Sequence, residues 1–263
     1  MDQLTVDQLT VSIFPTRQQM GQAAANEAGA CIRQLLTQQD EVNIIFAAAA
    51  SQNEFLDALV LEPGIAWDRI NAFHMDEYTG LPKDHPQRFG NFLFDRLFSK
   101  VPFKQVFYLN ETGLDDAQEC SRYSALLEAH RTDITCMGIG ENTHLAFNDP
   151  HVADFNDPYL VKIIDLDEPC KQQQVHDGCF PSVGDVPPIA YTLTIPALLR
   201  AQYIFCMVPG ANKAAAIKHT LMEEVSEKYP STSLRTHPNA RLYIDEDSAR
   251  LIGEVTHTNS GIV

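Results

Sequence analysis

Apolar residues recur along the chain in two registers. Short apolar runs alternate with longer stretches in which apolar residues return every three or four positions. The short runs predict strands at Leu9 to Phe14, Val42 to Ala48, Ile70 to His74, Gln105 to Leu109, Ile134 to Met137, Tyr203 to Val208 and Leu242 to Asp245. Weaker patterns of the same kind lie at Leu160 to Leu166 and Ile189 to Thr194. The longer stretches predict helices. In Arg17 to Gln38, Met20, Ala24, Ala28, Cys31 and Leu35 share a face. In Gln52 to Leu61 the face is Phe55, Leu56, Leu59 and Val60, and Glu62-Pro63-Gly64 ends it. Further helices are expected at Phe89 to Phe98, Asp115 to His130 (Cys120, Tyr123 and Leu127 inward), Ala211 to Met222, and near Ser248 to Val255. Glu141 to Asn156 reads as a polar loop. Asp2 to Val6 echoes Asp7 to Val11, but two short copies make no repeat architecture.

Strands that alternate with helices imply an α/β chain with three layers: a mostly parallel sheet covered by helices on both faces. No linker interrupts the pattern, so residues 1–263 are expected to form a single domain. Ligands in such folds bind beyond the carboxyl ends of the strands.

Composition narrows the partners. Among 263 residues, 19 are Lys or Arg and 35 are Asp or Glu, a formal net charge of −16. Hydrophobic residues are 44%, which excludes a disordered or collagen-like chain. The acidic balance argues against nucleic acid and against an anionic membrane, since both need clustered Lys and Arg. It does not argue against one small anion, which a few local donors can hold. The start, Met1 to Thr5, lacks the basic-then-apolar pattern of a signal peptide, and a cytoplasmic location is expected. The six cysteines form no C-x-x-C pair, which favours free thiols over disulfides or zinc. The nine histidines show no H-x-x-x-H arrangement, so no metal is expected.

Four strand ends carry chemistry. After the strand at Val42, the turn at Ala49-Ala50-Ser51-Gln52 leads into a helix whose free N–H groups favour an anion. Ser51 is either the N-cap of that helix or a hydroxyl donor to phosphate. After the strand at Ile70, Asp76 and Glu77 place two carboxylates side by side, either as a general base or as a solvated acidic turn. After the strand at Ile134 comes Gly138-Ile139-Gly140, which often only turns the chain, with His144 and Asp149 close behind: either a proton-moving histidine with a carboxylate to orient or charge it, or a hydrogen-bonded structural histidine. After the strand at Tyr203, Lys213 falls in the first turn of a helix, where its charge opposes the helix dipole. Either a bound phosphate accounts for it, or Lys213 is a solvated lysine on a flexible stem.

Together these segments resemble the glucosamine-6-phosphate deaminase/isomerase family, within the wider group that includes 6-phosphogluconolactonases. Phe73 to Leu81 reads FHMDEYTGL against the family's F-x-M-D-E-Y-x-G-L, with His85-Pro86 following. Gly138 to Pro150 reads GIGENTHLAFNDP against G-x-G-x-D-G-H-I-A-F-N-E-P, and Gly210 to Ala214 reads GANKA against G-x-x-K-A. Order and spacing hold over essentially the whole chain. The resemblance implies a Rossmann-like fold. It also implies conversion of an amino-sugar 6-phosphate, glucosamine 6-phosphate first, to fructose 6-phosphate and ammonia, with no metal or organic cofactor. Carried over by residue, Asp76 is the enolisation base, beside Glu77. His144 assists ring opening, Asn142 and Asp149 support it, and Lys213, Ser51 and the backbone of Ala49, Ala50 and Gln52 hold the phosphate. The expected partner is a phosphorylated sugar, with a homo-oligomer left open.

The departures are specific. The family's D-G-H is Asn142-Thr143-His144 here, and an amide carries no charge to raise the basicity of the histidine. The glutamate after F-N is the shorter Asp149. The family's glycine-rich phosphate loop is Ala48-Ala49-Ala50-Ser51, and a Cβ disfavours positive φ. Lys171 to Phe180 resembles an R-Q-Q-Q-V-x-x-G-x-F stretch of some members, with Lys171 for arginine. A second phosphate-binding arginine has no clear counterpart, and Lys213 is left as the main cation, with Arg88 and Lys171 as neighbours. Val152 to Tyr159 lacks the basic residues of the family's allosteric site, so no activation of that kind is expected. Two alternatives remain: a 6-phosphogluconolactonase-type hydrolase, in which His144 activates water, and a catalytically impaired sugar-phosphate-binding protein.

Overall fold

The structure, a computed structural model, describes residues 2–110 and 113–253. Eight strands form one sheet: β1 (Asp2–Val6), β2 (Leu9–Phe14), β3 (Val42–Phe46), β4 (Ile70–His74), β6 (Gln105–Phe107), β7 (Ile134–Met137), β10 (Tyr203–Val208) and β11 (Ala240–Asp245). Their order is β1-β2-β11-β10-β7-β3-β4-β6, and every pair is parallel except the β1–β2 hairpin. β5 (Asp76–Tyr78), β8 (Val161–Asp165) and β9 (Ile189–Leu193) make a separate antiparallel sheet in the order β5-β9-β8.

The expected α/β architecture is present. Burial on both faces explains why the parallel strands read as apolar runs: every residue of β3, β4 and β7 is buried. Within β3 the side chains alternate. Ile44 and Phe46 pack under α1 (Arg17–Leu36) and α2 (Asn53–Val60), while Ile45 faces the layer built on Phe73, Tyr123 and Leu127. The two helices touch at Gly21, where an added Cβ would lie 2.6 Å from the Glu54 Cβ. That contact brings the first turn of α1 to the start of α2. The remaining helices are α3 (Phe89–Leu93), α4 (Asp116–Ala129), α5 (Glu168–His176), α6 (Ile195–Leu199), α7 (Ala214–Met222) and α8 (Glu246–Ala249).

Three expectations change. Asp2–Val6 is a strand, paired back on β2, so the second copy of the echo supplies the turn at Asp7-Gln8 and the first residues of β2. The acidic D-E-Y run is itself a strand, β5. The expected terminal helix is the short α8, capped by Asp245, and residues 254 and 255 lie outside the described residues. No described helix is long and apolar enough to cross a membrane.

Two junctions position the site. β3 and β7 are neighbours, yet the chain leaves β3 toward β4 and β6 and leaves β7 toward β10 and β11. Connections diverge at such a switch point and open a crevice at the carboxyl ends of the strands. One strand further, at Met75, the chain steps from β4 in the large sheet to β5 in the small one. The Met75 carbonyl there accepts from the Leu193 N–H at 2.8 Å.

Candidate active site

A cavity opens at the switch point. Its wall includes Ala49, Ala50, Ser51, Asp76, His144 and Lys213 from the four strand ends, with Arg17, Phe89, Gln173, Gln174 and Asp177.

The loop after β3 runs extended through Ala49, at φ −155° and ψ 157°, and then turns through Ala50–Gln52 into α2. Its alanines all have negative φ, so replacing glycine brings no backbone strain. Ser51 does not cap α2, whose first turn has no side-chain cap. Its hydroxyl oxygen instead accepts from Gln52 Nε2 at 3.1 Å, which leaves the O–H to donate. Gln52 also donates to the Met207 carbonyl at 3.2 Å and ties this loop to β10. The Gln52 side chain is therefore a brace behind the cavity, not part of its wall.

Asp76 and Glu77 point to opposite faces of β5, as adjacent strand residues must. Asp76 reaches the cavity and is only 9% exposed. Burial first, and then the neighbouring Glu77 charge, push its carboxyl well above the usual carboxylate range. Glu77 turns away from the cavity. It accepts N–H groups of Tyr78, Phe89 and Gly90 at 3.0 to 3.1 Å, with the Arg88 guanidinium at 3.5 Å. Glu77 thus fixes the start of α3, and with it Phe89. Arg88 is spent in the same network, on Glu77 and the carbonyls of Leu109 and Asn110, and does not reach the cavity. Lys171 is also absent from the cavity wall, while Gln173, Gln174 and Asp177 from the same segment are on it.

The loop after β7 packs tightly. An added Cβ on Gly140 would sit 2.2 Å from the His144 ring, so only glycine lets the imidazole lie against the turn. His144 Nδ1 lies 2.6 Å from Asn142 Oδ1 and 3.0 Å from Asp149 Oδ1. Both neighbours are acceptors, so Nδ1 carries a proton and, in the neutral ring, Nε2 keeps its lone pair. Asn142 and Asp149 stand behind His144 and do not line the cavity. The Asn142 amide donates to Asp149 at 3.0 Å and to both Asp167 oxygens at 3.4 Å. Burial pushes the Asp149 carboxyl up, but hydrogen bonds and charge from His144, with Asn142 and the Asp167 N–H, hold it below its ordinary value. Thr143, at the family's glycine position, has φ +73° and is buried, and its hydroxyl has no partner.

Lys213 ends a turn between β10 and α7 and is only 5% exposed. Burial lowers its ammonium pKa, against the opposing pull of Asp177 and Glu141. Among the described residues its ammonium has no hydrogen-bond or ion-pair partner. A buried, unpaired cation on a cavity wall is costly unless an anion arrives.

The residue that sequence reasoning missed is Arg17. It opens α1, its guanidinium pairs with Glu54 at 2.6 and 2.9 Å, and it donates to the Ala50 carbonyl at 3.2 Å. It supplies the second cation on the wall. The signal that flagged Lys213 was available here too: Thr16 caps α1, so Arg17 sits at the positive end of a helix dipole.

The fold and the cavity define an α/β protein with a small-molecule crevice beyond its parallel strands, one end cationic and the other carrying a histidine–carboxylate pair and a buried acid. Residues 15–243 match the family described as glucosamine-6-phosphate isomerases/6-phosphogluconolactonase, and the chain belongs to that enzyme family. A glucosamine-6-phosphate deaminase of Bacillus cereus (strain G9842) is 35% identical over 186 residues, 71% of this chain and 69% of its own. A glucosamine-6-phosphate deaminase of Listeria innocua serovar 6a is 32% identical over 212 residues, 81% of this chain and 88% of its own. Among solved structures, a monomeric glucosamine-6-phosphate deaminase superposes with a TM-score of 0.82 at 26% identity, over 92% of this chain and 99% of that one. The 6-phosphogluconolactonase of Thermotoga maritima shares the fold, with a TM-score of 0.73 at 21% identity over 90% of this chain and 99% of that one.

Proposed function

We propose that the protein converts a 2-amino-sugar 6-phosphate, glucosamine 6-phosphate first, to fructose 6-phosphate and ammonia. The observation that carries this reading is the pairing of an unpartnered buried ammonium, Lys213, with a buried carboxyl of raised pKa, Asp76, on one cavity wall. Lys213, Arg17, the Ser51 hydroxyl and the amides of residues 49–52 take the phosphate. Anchoring that group supplies binding energy that orients the reacting carbons.

At the other end His144 Nε2 accepts the proton of the anomeric hydroxyl and returns it to the ring oxygen, which opens the sugar. Asp76 then removes the proton from C2 and delivers it to C1, while O1 gains a proton and the 2-amino group gives one up. The resulting C2 imine takes up water and releases ammonia, leaving the ketose. A raised pKa suits this shuttle, because it makes the carboxylate a stronger base.

Asp76 separates this reading from lactone hydrolysis, which needs no enolisation base. Ammonia release on a panel of 2-amino-sugar 6-phosphates, run beside 6-phosphogluconolactone hydrolysis, tests it. Ammonia release should dominate, and Asp76→Asn should cut kcat by about 10²–10⁴. Lactone turnover alone, or normal kcat in the Asn variant, would sink the assignment. Sugar-phosphate binding with no turnover of either kind would leave a binding protein.

A further inference from the structure

Behind His144 lies a cluster that the proposed reaction does not use as a set. His144, Asp149 and Cys170 are all buried, and a ring nitrogen, a carboxylate oxygen and the Cys170 Sγ lie within 4.8 Å of one another. Asp149, His151 and Asp167 form an overlapping group at the same spacing. Two carboxylates, Asp149 and Asp167, meet across the Asn142 amide. Among the described residues, neither has a Lys or Arg ion-pair partner; the histidines are their ion-pair neighbours. In a chain with 35 acidic and 19 basic side chains, this buried corner has acceptors and a thiol but no fixed cation.

We propose that the cluster is a binding site for a thiophilic divalent cation of the zinc type, ligated by Cys170 Sγ, His144 Nδ1 and the Asp149 carboxylate, with Asp167 beside Asp149 as a neighbouring charge, and that its occupancy switches the active site off. Zinc takes sulfur, imidazole and carboxylate ligands at roughly 2.0–2.3 Å in a tetrahedron, and one donor of each kind is gathered here, which leaves a fourth position for solvent. The proton balance is simple. The Cys170 thiol loses one proton to solvent and binds as thiolate. The neutral imidazole keeps its proton, which moves from Nδ1 to Nε2 as Nδ1 takes the metal. Two clustered negative charges become one. His144 lines the cavity, which gives the ion its route in. The Nε2 atom then carries hydrogen and cannot accept a proton from a sugar hydroxyl.

Cobalt(II) is the probe, because its thiolate complexes absorb in the near ultraviolet by charge transfer. The reduced, chelator-stripped protein should show this band with one equivalent of Co²⁺, and Zn²⁺ should bleach it. Cys170→Ser should abolish the band, Cys179→Ser should keep it, and Asp167→Asn should weaken Co²⁺ binding about tenfold or more. Zinc at the same stoichiometry should stop turnover, and a chelator should restore it. Absence of the band in wild type, or an equal band in Cys170→Ser, overturns the site. If Cys170→Ser does not fold, unchanged affinity in Asp167→Asn overturns it instead. Only the turnover arm rests on the proposed reaction. A protein inactive on every substrate but showing the band would refute that reading and leave the metal site standing.

Discussion

Thr143 offers a measurement of backbone strain beside the candidate catalytic histidine. Its φ of +73° is a left-handed conformation that a β-branched side chain rarely adopts, and its buried hydroxyl has no partner. Left-handed backbone costs a non-glycine residue about 1–2 kcal/mol. An unsatisfied buried hydroxyl costs a further ~1–3 kcal/mol. Thr143→Gly removes both penalties. Against that, glycine adds roughly 0.5–1 kcal/mol of unfolded-state entropy, and loss of the buried methyl costs about 0.8 kcal/mol. The balance favours the variant by about 2 kcal/mol at the midpoints of these ranges, or a rise in Tm of roughly 4–8 °C for a chain of this size. Urea unfolding should show a higher midpoint at unchanged m-value. Thr143→Ala is the control: it removes the hydroxyl but keeps the left-handed penalty, so it should gain less than glycine. A Gly variant less stable than wild type by more than ~0.5 kcal/mol would refute the reasoning, because packing by the threonine would then outweigh its strain.

Three further outcomes are expected. Inorganic phosphate should raise the Tm of wild type, by the equivalent of about 2.7 kcal/mol at a hundred times its Kd. Lys213→Met should lose most of that shift and Arg17→Met part of it, and phosphate shifts equal to wild type in both would exclude the cationic end. Asp76→Asn should be more stable than wild type at pH 8 and nearly equal to it below pH ~4. The folded carboxyl is pushed up, so the unfolded chain ionises first as pH rises and wild type loses stability over that interval; a gap that is flat with pH, or one that closes as pH rises, contradicts the burial argument. Asn142→Asp, although it restores the family's motif, sets a third carboxylate against Asp149 and Asp167. It should cost at least ~1 kcal/mol at pH 8, the equivalent of a pKa shift of roughly one unit. The cost should shrink as pH falls and a proton is shared; full stability at pH 8 would show that the cluster relaxes.

What the sequence made legible was local. Ile44, Ile45 and Phe46 announce a strand buried on both faces, and the four strand ends with their chemistry follow from that pattern. The family resemblance carried by the four motifs gathered Asp76, His144 and Lys213 into one expected site, and all three line the cavity. Pairing between distant segments was not legible. The D-E-Y run becomes a strand only because Ile189–Leu193, more than a hundred residues later, supplies its partner. That pairing also decides that Asp76 faces the cavity while Glu77 braces α3. Arg17 reaches the cavity through a contact between two helices at Gly21, and no motif encodes it. The expected roles of Ser51 as a cap and of Arg88 and Lys171 as phosphate neighbours failed for the same reason. Each depended on where a side chain finds its tertiary partner.

The step at Met75 divides the cavity between two sheets. Lys213, Arg17 and the loop after β3 are anchored to the large parallel sheet, whereas Asp76 belongs to the small antiparallel one. The His144 loop is laced to that small sheet as well, through Phe147 N to Thr192 and Asn148 to the Leu193 carbonyl. In the proposed reaction, handle recognition and bond-making chemistry would thereby draw on separate frames. If the proposed roles hold, sequence drift in the small frame could exchange one reaction for another while the proposed phosphate end stays intact. A family whose description joins an isomerase and a lactonase, both of 6-phosphorylated sugars, is what such a modular layout would leave behind.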